Sequence, residues 1–236
     1  FYPDSFHAHN NIGSFYFNFL KDVDRAEAHF EKAHALKPHD PSILNNLAIM
    51  ARERGDIPKA VRLHLEAADE AAKVNPLMVD AYYNLGSMYM MRDDNAEAIR
   101  WYTKAVEMNP THVASLINLG AVYAELGQLP EAEDAYRRAI AVEPNTPQSY
   151  YNLGILLEKS GRSDEAEVAY TQATIIEPTY LDAFNNLGAL YFDAGKLTQS
   201  LEQFEKAYAI DPKNSMAARN LTMIRTMLRN QGSRAE

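Results

Sequence analysis

The sequence predicts an all-α protein, a right-handed α-solenoid of six helix-turn-helix units followed by a C-terminal capping helix. Three observations lead to this fold class. A glycine recurs every 34 residues, prolines other than Pro3 fall only at unit ends or helix starts, and a small/aromatic/small pattern repeats in each second helix. A fixed period of this length is typical of tandem supersecondary units whose stacking builds one core.

Glycines of two kinds mark each unit. Those of the first kind follow an apolar residue in the first helix, where a missing side chain lets neighbouring helices approach closely. They are Gly13, Gly86, Gly120, Gly154 and Gly188. Those of the second kind are expected in the turn between the two helices, where a positive φ costs glycine little. They are Gly55, Gly127, Gly161 and Gly195.

Prolines and the glycine register together predict the unit boundaries. The six units span about 6–40, 41–78, 79–112, 113–146, 147–180 and 181–214, so that the array covers 6–214. Residues 215–229 are predicted to form a capping helix that shields the last unit, and residues 230–236 a flexible tail. The second unit has four extra residues before Pro76, about one helical turn, so its second helix can lengthen without rotating its buried face.

Each second helix repeats a small residue, an aromatic four positions later and an alanine three positions beyond that. The four regular sets are Ala98/Tyr102/Ala105, Ala132/Tyr136/Ala139, Ala166/Tyr170/Ala173 and Ser200/Phe204/Ala207. Spacings of four and three place all three residues on one helical face. We expect the aromatic side chain to pack between helices as a knob flanked by small residues.

These motifs resemble the tetratricopeptide repeat family over roughly residues 6–214. The second unit departs from the family pattern, since Ala48 replaces the glycine and His64 the aromatic residue. The resemblance implies a helical protein-binding scaffold. Because this fold serves many partners, it does not identify the one that this chain binds.

Composition excludes several other classes of protein. The net charge of −9 argues against a nucleic-acid backbone as partner, and no apolar run is long enough for membrane insertion. The absence of cysteine excludes disulfides and thiolate chemistry. The chain starts at Phe1 without a signal-like segment, which indicates a mature or excised piece of a soluble cytoplasmic or periplasmic protein; the compartment is not determined.

An asparagine stands two positions before each repeat glycine or its equivalent. These seven residues, called here the ladder asparagines, are Asn11, Asn46, Asn84, Asn118, Asn152, Asn186 and Asn220. Asparagine is a poor residue inside a helix, so its recurrence needs a reason. The resemblance implies that this position lines a concave groove, as in the asparagine ladder of the O-GlcNAc transferase repeat domain. There the amides would bond to the backbone of an extended peptide; bonding between adjacent repeats is the open alternative.

Specificity is expected from residues beside the ladder. The candidate peptide-binding residues among them are Tyr83, Met90, Tyr151, Glu158 and Phe192. The same register is expected to place Asp80, Ile155, Lys159, Asp182, Asn185, Ala189 and Asp193 in the lining of the groove. Carboxylates at this register outnumber the cations, which favours a neutral to basic peptide. Tyr83 and Ser87 stand where carboxylate-clamp members of the family carry cations, so an acidic C-terminal tail is disfavoured.

No motif for catalysis, cofactor binding or metal binding is visible, and the seven histidines follow no recognised metal spacing. The sequence therefore predicts a non-catalytic scaffold or adaptor. Two alternatives stay open. One is a structural subunit that docks folded partners by its convex face or ends, as a homo-oligomer or in a larger complex. The other is the targeting domain of a larger enzyme such as a glycosyltransferase.

Overall fold

The computed structural model describes residues 5–74 and 79–232, and every regular element in these two ranges is an α-helix. The helices are α1 (Phe6–Asn18), α2 (Val23–Leu36), α3 (Pro41–Glu53), α4 (Ile57–Val74), α5 (Val79–Met90), α6 (Asn95–Met108), α7 (Val113–Glu125), α8 (Leu129–Val142), α9 (Pro147–Lys159), α10 (Ser163–Ile176), α11 (Leu181–Asp193), α12 (Leu197–Ile210) and α13 (Ser215–Gly232). They fall into two compact units, Phe1–Val122 and Tyr123–Glu236. The predicted all-α array of helix pairs is thereby confirmed.

Helix starts follow the polar and proline signals in the sequence. The Asp40 carboxylate accepts hydrogen bonds from the backbone N–H groups of Ser42 and Ile43, and Pro41 occupies the first turn of α3. Asp94 caps α6 through the N–H of Glu97. These contacts satisfy backbone donors that have no partner inside the helix.

The turns within the helix pairs confirm the predicted role of the second set of glycines. All four have φ between 71° and 78°, in the left-handed region. In the two pairs without such a glycine, Lys21 (φ 54°) and Asp93 (φ 58°) occupy the left-handed position. Aspartate tolerates this conformation through local hydrogen bonding, whereas lysine has no such compensation.

The first set of glycines allows the close approach that the sequence predicted. A Cβ atom built on Gly154 would lie 2.6 Å from Cδ1 of Tyr170, and the same contact recurs at Gly13, Gly86 and Gly188. Tyr170 itself is fully buried, so a side chain at this position would force its ring to shift out of the packed core. The aromatic ring predicted as a knob, here Tyr170, therefore packs directly against the backbone of a glycine, here Gly154.

Each of the two compact units, Phe1–Val122 and Tyr123–Glu236, has its core between successive helices. Phe30, Ile43 and Met50 pack together in the first unit. In the second, Leu153, Tyr170 and Leu187 belong to one cluster. Helix α13 packs on α12 through Leu221 and Ile224, as expected of a capping helix.

Two predictions, the longer second helix before Pro76 and the C-terminal tail 230–236, lie partly outside the described residues. The stretch around Pro76 lies outside the described residues, although α4 does extend to Val74. Residues 230–232 continue α13, and 233–236 lie outside the description. No helix in the two described ranges has the length and apolarity needed to cross a membrane.

Candidate peptide-binding face

The ladder asparagines all lie in the first helix of a pair or in α13. Asn11 is exposed, and the other six are partly buried. The side of these helices that carries them is called here the ladder face. Their surroundings differ between the helix pairs, and the two units are described separately.

At the start of the first unit, ladder amides bond to the preceding first helix. Nδ2 of Asn46 donates to Oδ1 of Asn10 at 2.9 Å. Nδ2 of Asn84 donates to Oδ1 of Asn45 at 2.8 Å. Each acceptor directly precedes a ladder residue, so neighbouring repeats are joined at equivalent places. These contacts supply the structural reason for asparagine that the sequence left open.

Asn118 begins a longer chain of hydrogen bonds in the same unit. Its Nδ2 donates to the Tyr102 hydroxyl at 3.1 Å, which in turn donates to Oγ of Ser87 at 3.0 Å. Ser87 donates to the backbone carbonyl of Tyr83 at 3.1 Å. Burial raises the pKa of Tyr102 above its ordinary value, so the hydroxyl remains a proton donor near neutral pH. The chain fixes the orientation of the Asn118 amide.

Two predicted specificity residues surround this chain. The Tyr83 ring centroid lies 5.9 Å from that of Tyr102 and meets the His112 ring edge-on at 5.4 Å. Met90 places its sulfur 3.9 Å from the Tyr102 hydroxyl. Beyond His112, the carboxylate of Asp80 is exposed and lies 3.9 Å from the imidazole Nε2. The surface is aromatic with an acidic edge.

The second unit repeats the chain with a carboxylate at its end. Nδ2 of Asn186 lies 3.4 Å from the hydroxyl of Tyr151 and 3.5 Å from that of Tyr170. Tyr170 donates to Oε2 of Glu158 at 2.7 Å. Burial, followed by this contact with Glu158, raises the pKa of Tyr170. Asn186 is thus held like Asn118.

These residues line an open cavity of about 380 Å³. Its lining consists of Ile155, Glu158, Lys159, Tyr170, Asn186 and Ala189. Every one of them except Tyr170 was predicted at the ladder register, and the structure brings them together. The lining combines an apolar wall, a fixed amide and one charge of each sign.

Asn152 is held through its oxygen instead. Nε2 of Gln148 donates to Oδ1 of Asn152 at 2.8 Å, and the Tyr180 hydroxyl donates to Oε1 of Gln148 at 2.7 Å. Burial and the nearby Tyr151 raise the pKa of Tyr180 to about 12. Gln148 and Tyr180 were not predicted as site residues. Gln148 stands four positions before Asn152, the offset of Asp182 from Asn186, so the repeat register could have identified it; Tyr180 lies in the turn before α11, where no ladder offset indicates it.

The remaining predicted positions are more varied. Phe192 is partly buried against a cluster that includes Phe204 and Leu221. Asn220 is partly buried on α13. Asn185, which was expected to line the groove, is instead buried, and within the described chain its Oδ1 has no hydrogen-bond partner.

Because ladder amides use their nitrogen atoms for internal hydrogen bonds, the ladder face offers mainly amide oxygens to a ligand. Four ladder residues use their Nδ2 atoms inside the protein: Asn46, Asn84, Asn118 and Asn186. No donor among the described residues reaches the Oδ1 atom of these four. An amide oxygen can accept two hydrogen bonds, so the face offers fixed acceptors. Nowhere in the described ranges do three metal-ligating side chains come together.

Solved structures of MamA, YrrB and PilF have the same architecture. The crystal structure of MamA is 27% identical, with a TM-score of 0.64 over 72% of this chain and 96% of MamA. YrrB, described as a TPR protein with an unusual peptide-binding site, is 25% identical, with a TM-score of 0.63 over 80% of this chain and 96% of YrrB. PilF of Pseudomonas aeruginosa shares the fold at 14% identity, with a TM-score of 0.77 over 91% of this chain and 95% of PilF.

No curated protein sequence gives a significant match. The family model described as "Cilia and flagella-associated protein 70 C-terminal domain" matches residues 14–235. This match and the structural neighbours confirm the tetratricopeptide resemblance. The chain therefore belongs to the family of the cilia and flagella-associated protein 70 C-terminal domain, a family of tetratricopeptide repeats.

Proposed function

We propose that this chain is a non-catalytic protein-interaction scaffold that binds an extended peptide segment of a partner along its ladder face. The observation that supports this function is the orientation of the ladder amides. Four of them are anchored through Nδ2, and no donor from residues 5–74 or 79–232 reaches their Oδ1 atoms. Acceptors of fixed orientation suit the backbone N–H groups of an extended chain, since no ordering of the asparagine is needed on binding.

The spacing of the ladder agrees with such a ligand. Packed helices lie about 8–10 Å apart, and an extended chain rises about 3.3 Å per residue, so one ladder oxygen meets about every third residue. Each hydrogen bond contributes only about 0.5–1.5 kcal/mol. Affinity therefore comes from the series of contacts within a unit, and side-chain preferences come from cavities such as the one beside Asn186.

Charge on the ladder face favours neutral to basic segments. In the second unit, Asp182 and Asp193 are exposed on α11, the helix that carries Asn186, and Lys159 lines the cavity together with Glu158. In the first unit, Asp80 is exposed at the edge of the aromatic surface. Acceptor oxygens add to this preference because they bind ammonium and guanidinium donors as well as backbone N–H groups. The peptide-binding site described for YrrB supports the same use of the fold.

The experiment removes one oriented amide from each unit with Asn118→Ala and Asn186→Ala, separately and together. The probes are two fluorescein-labelled twelve-residue peptides with the same apolar residues and either four lysines or four glutamates. Loss of one hydrogen bond is expected to weaken binding of the lysine peptide about two- to tenfold.

The matched control is Gln199→Ala, which removes an exposed side-chain amide from α12, away from the ladder face. It is expected to bind the lysine peptide like the unsubstituted protein. Equal affinity of the ladder variants and this control would overturn the proposed function, and so would stronger binding of the glutamate peptide.

A further inference from the structure

Helix α10 has an outward-facing apolar strip that is separate from the ladder face. Val168 and Ile175 are each 63% exposed, and Gln172 lies between them at helical spacing. The opposite side of α10 packs into the core through Ala166, Tyr170 and Ala173. From Val168 to Ile176 the helix has no charged residue.

The repeat supplies an internal comparison for this strip. The positions equivalent to Val168 and Gln172 are Asp134 and Arg138 in α8, and Glu202 and Lys206 in α12. In both helices these residues form an ion pair four positions apart, with N–O distances of 3.5 Å and 2.7 Å. Helix α10 therefore lacks the solvated pair that its neighbours have at this register, and places an exposed valine there.

Apolar cavities flank the strip on both sides. On the α8 side, Ile140, Leu153 and Val168 line an open cavity of about 420 Å³. On the α12 side, Ile175 and Ile210 line another of about 720 Å³. An exposed apolar strip between two apolar grooves is typical of a surface that another protein covers.

Charges at the edge indicate the kind of partner. Arg137 and Glu165, on the wall of the first cavity, are 3.6 Å apart and are also bound within a network with Glu133 and Arg162. Asp164 lines the same cavity one turn before Val168, and no cation in the described chain pairs with it. Its carboxylate remains available to a basic group of a ligand.

We infer that the α10 strip is a docking surface for a basic amphipathic helix of a partner protein. Val168 and Ile175 are two helical turns apart, about 10 Å, which matches apolar residues at positions i and i+7 of a docked helix. A lysine or arginine one turn beyond that apolar stripe meets Asp164. A second copy of this chain is a poorer occupant, because each copy has a net charge of −9.

The test restores the charged pair that α8 and α12 already have. The variant Val168→Asp/Gln172→Arg leaves the net charge unchanged and introduces an ion pair compatible with a helix surface. The probe is a fluorescein-labelled eighteen-residue helical peptide with leucine at i, i+4 and i+7 and lysine elsewhere on its surface. Binding is measured by anisotropy at physiological salt.

The variant is expected to bind this peptide about tenfold more weakly, because a central contact is lost, while circular dichroism and the melting temperature are unchanged. Asp164→Asn is expected to weaken binding of the lysine peptide. It is also expected to reduce the difference in affinity between this peptide and one with glutamate in place of lysine. The double variant Asn118→Ala/Asn186→Ala is expected to bind like the unsubstituted protein, which separates this surface from the ladder face.

Two results would overturn the inference. One is equal binding of the helical peptide by the Val168→Asp/Gln172→Arg variant and the unsubstituted protein, including absence of binding by both. The other is a concentration-dependent dimer in analytical ultracentrifugation that the variant abolishes, which would identify a second copy as the occupant.

Discussion

Nδ2 of Asn118 lies 3.1 Å from the hydroxyl oxygen of Tyr102, so a ladder residue is bonded to the second helix of the preceding pair. Asn186 and Tyr170 have the same relationship in the second unit, at 3.5 Å. The asparagine thus has an internal partner on its nitrogen, while its oxygen receives no hydrogen bond from the part of the chain that the structure describes. The structural and peptide-binding explanations of the ladder can both hold, since they concern different atoms of one amide.

Tyr102→Phe and Asn118→Ala should separate these two roles. Each removes the hydrogen bond between Asn118 and Tyr102, and Tyr102→Phe also removes the bond to Ser87. The free energy of unfolding is expected to fall by about 0.5–1.5 kcal/mol for each hydrogen bond lost. Asn118→Ala removes the acceptor oxygen and is expected to weaken peptide binding more, whereas Tyr102→Phe keeps the oxygen and removes only the contact that orients it. Urea unfolding and fluorescence anisotropy measure the two effects. Equal peptide affinity in both variants would show that the amide serves only the fold.

Gly154→Ala should destabilise the second unit. The added Cβ would lie 2.6 Å from the ring of Tyr170, which is fully buried and would have to shift. Overpacking of this kind costs about 1–3 kcal/mol. Hydrogen exchange is expected to show faster opening of α9 and α10, with α12 and α13 less affected because a repeat array transmits damage mainly to neighbours. Protection of α9 amides equal to that in the unsubstituted protein would contradict the close-contact argument.

His64 should make stability depend on pH in the mildly acidic range. It replaces the aromatic knob of the second helix pair, α3 and α4, and is 1% exposed, with no hydrogen-bond partner for Nδ1 in the described structure. Burial, followed by repulsion from Arg52, lowers its pKa from 6.5 to about 4. In the unfolded chain the imidazole binds a proton below pH 6.5, whereas in the folded protein it remains neutral. The stability contribution is therefore complete above pH 6.5 and declines as the pH falls towards 4.

Between pH 6.5 and pH 5 this linkage is expected to remove roughly 1–2 kcal/mol of unfolding free energy. Urea unfolding of the unsubstituted protein and of His64→Gln at both pH values measures it. The glutamine variant does not titrate in this range and should lack this part of the decline. An identical pH dependence in the two proteins would mean that other groups cause it.

Asp182→Asn/Asp193→Asn should reduce the preference of the ladder face for basic peptides. Both carboxylates are exposed, so their effect on a lysine peptide is expected mainly in the association rate and to fade as salt rises. Stopped-flow fluorescence at low and physiological salt measures it. Asp134→Asn/Glu202→Gln, on helices α8 and α12, gives the same change in net charge away from the ladder. If both pairs slow association equally, the effect comes from total charge and not from this face.

Much of the fold could be predicted from the sequence because its signals are local. The positive φ of Gly161, the capping by Asp94 and the proline at the start of α3 depend on a few neighbouring residues. The close contact of Gly154 with Tyr170 was predictable as well, because the repeat shows both positions in register several times. The ladder asparagines, and the cavity residues at their register, were recognised from the same periodicity.

The sequence by itself therefore determined the all-α helix pairs and the periodic register of the ladder asparagines along them. Tertiary structure decided which atom of each amide is used: Asn118 bonds to Tyr102 through nitrogen, whereas Asn152 accepts from Gln148 through oxygen. It also decided that Asn185 is buried and that the strip around Val168 is exposed. The physical reason is that periodicity assigns a residue to a helical face, while hydrogen-bond partners and burial depend on side chains of other helices, at distances that no local pattern encodes.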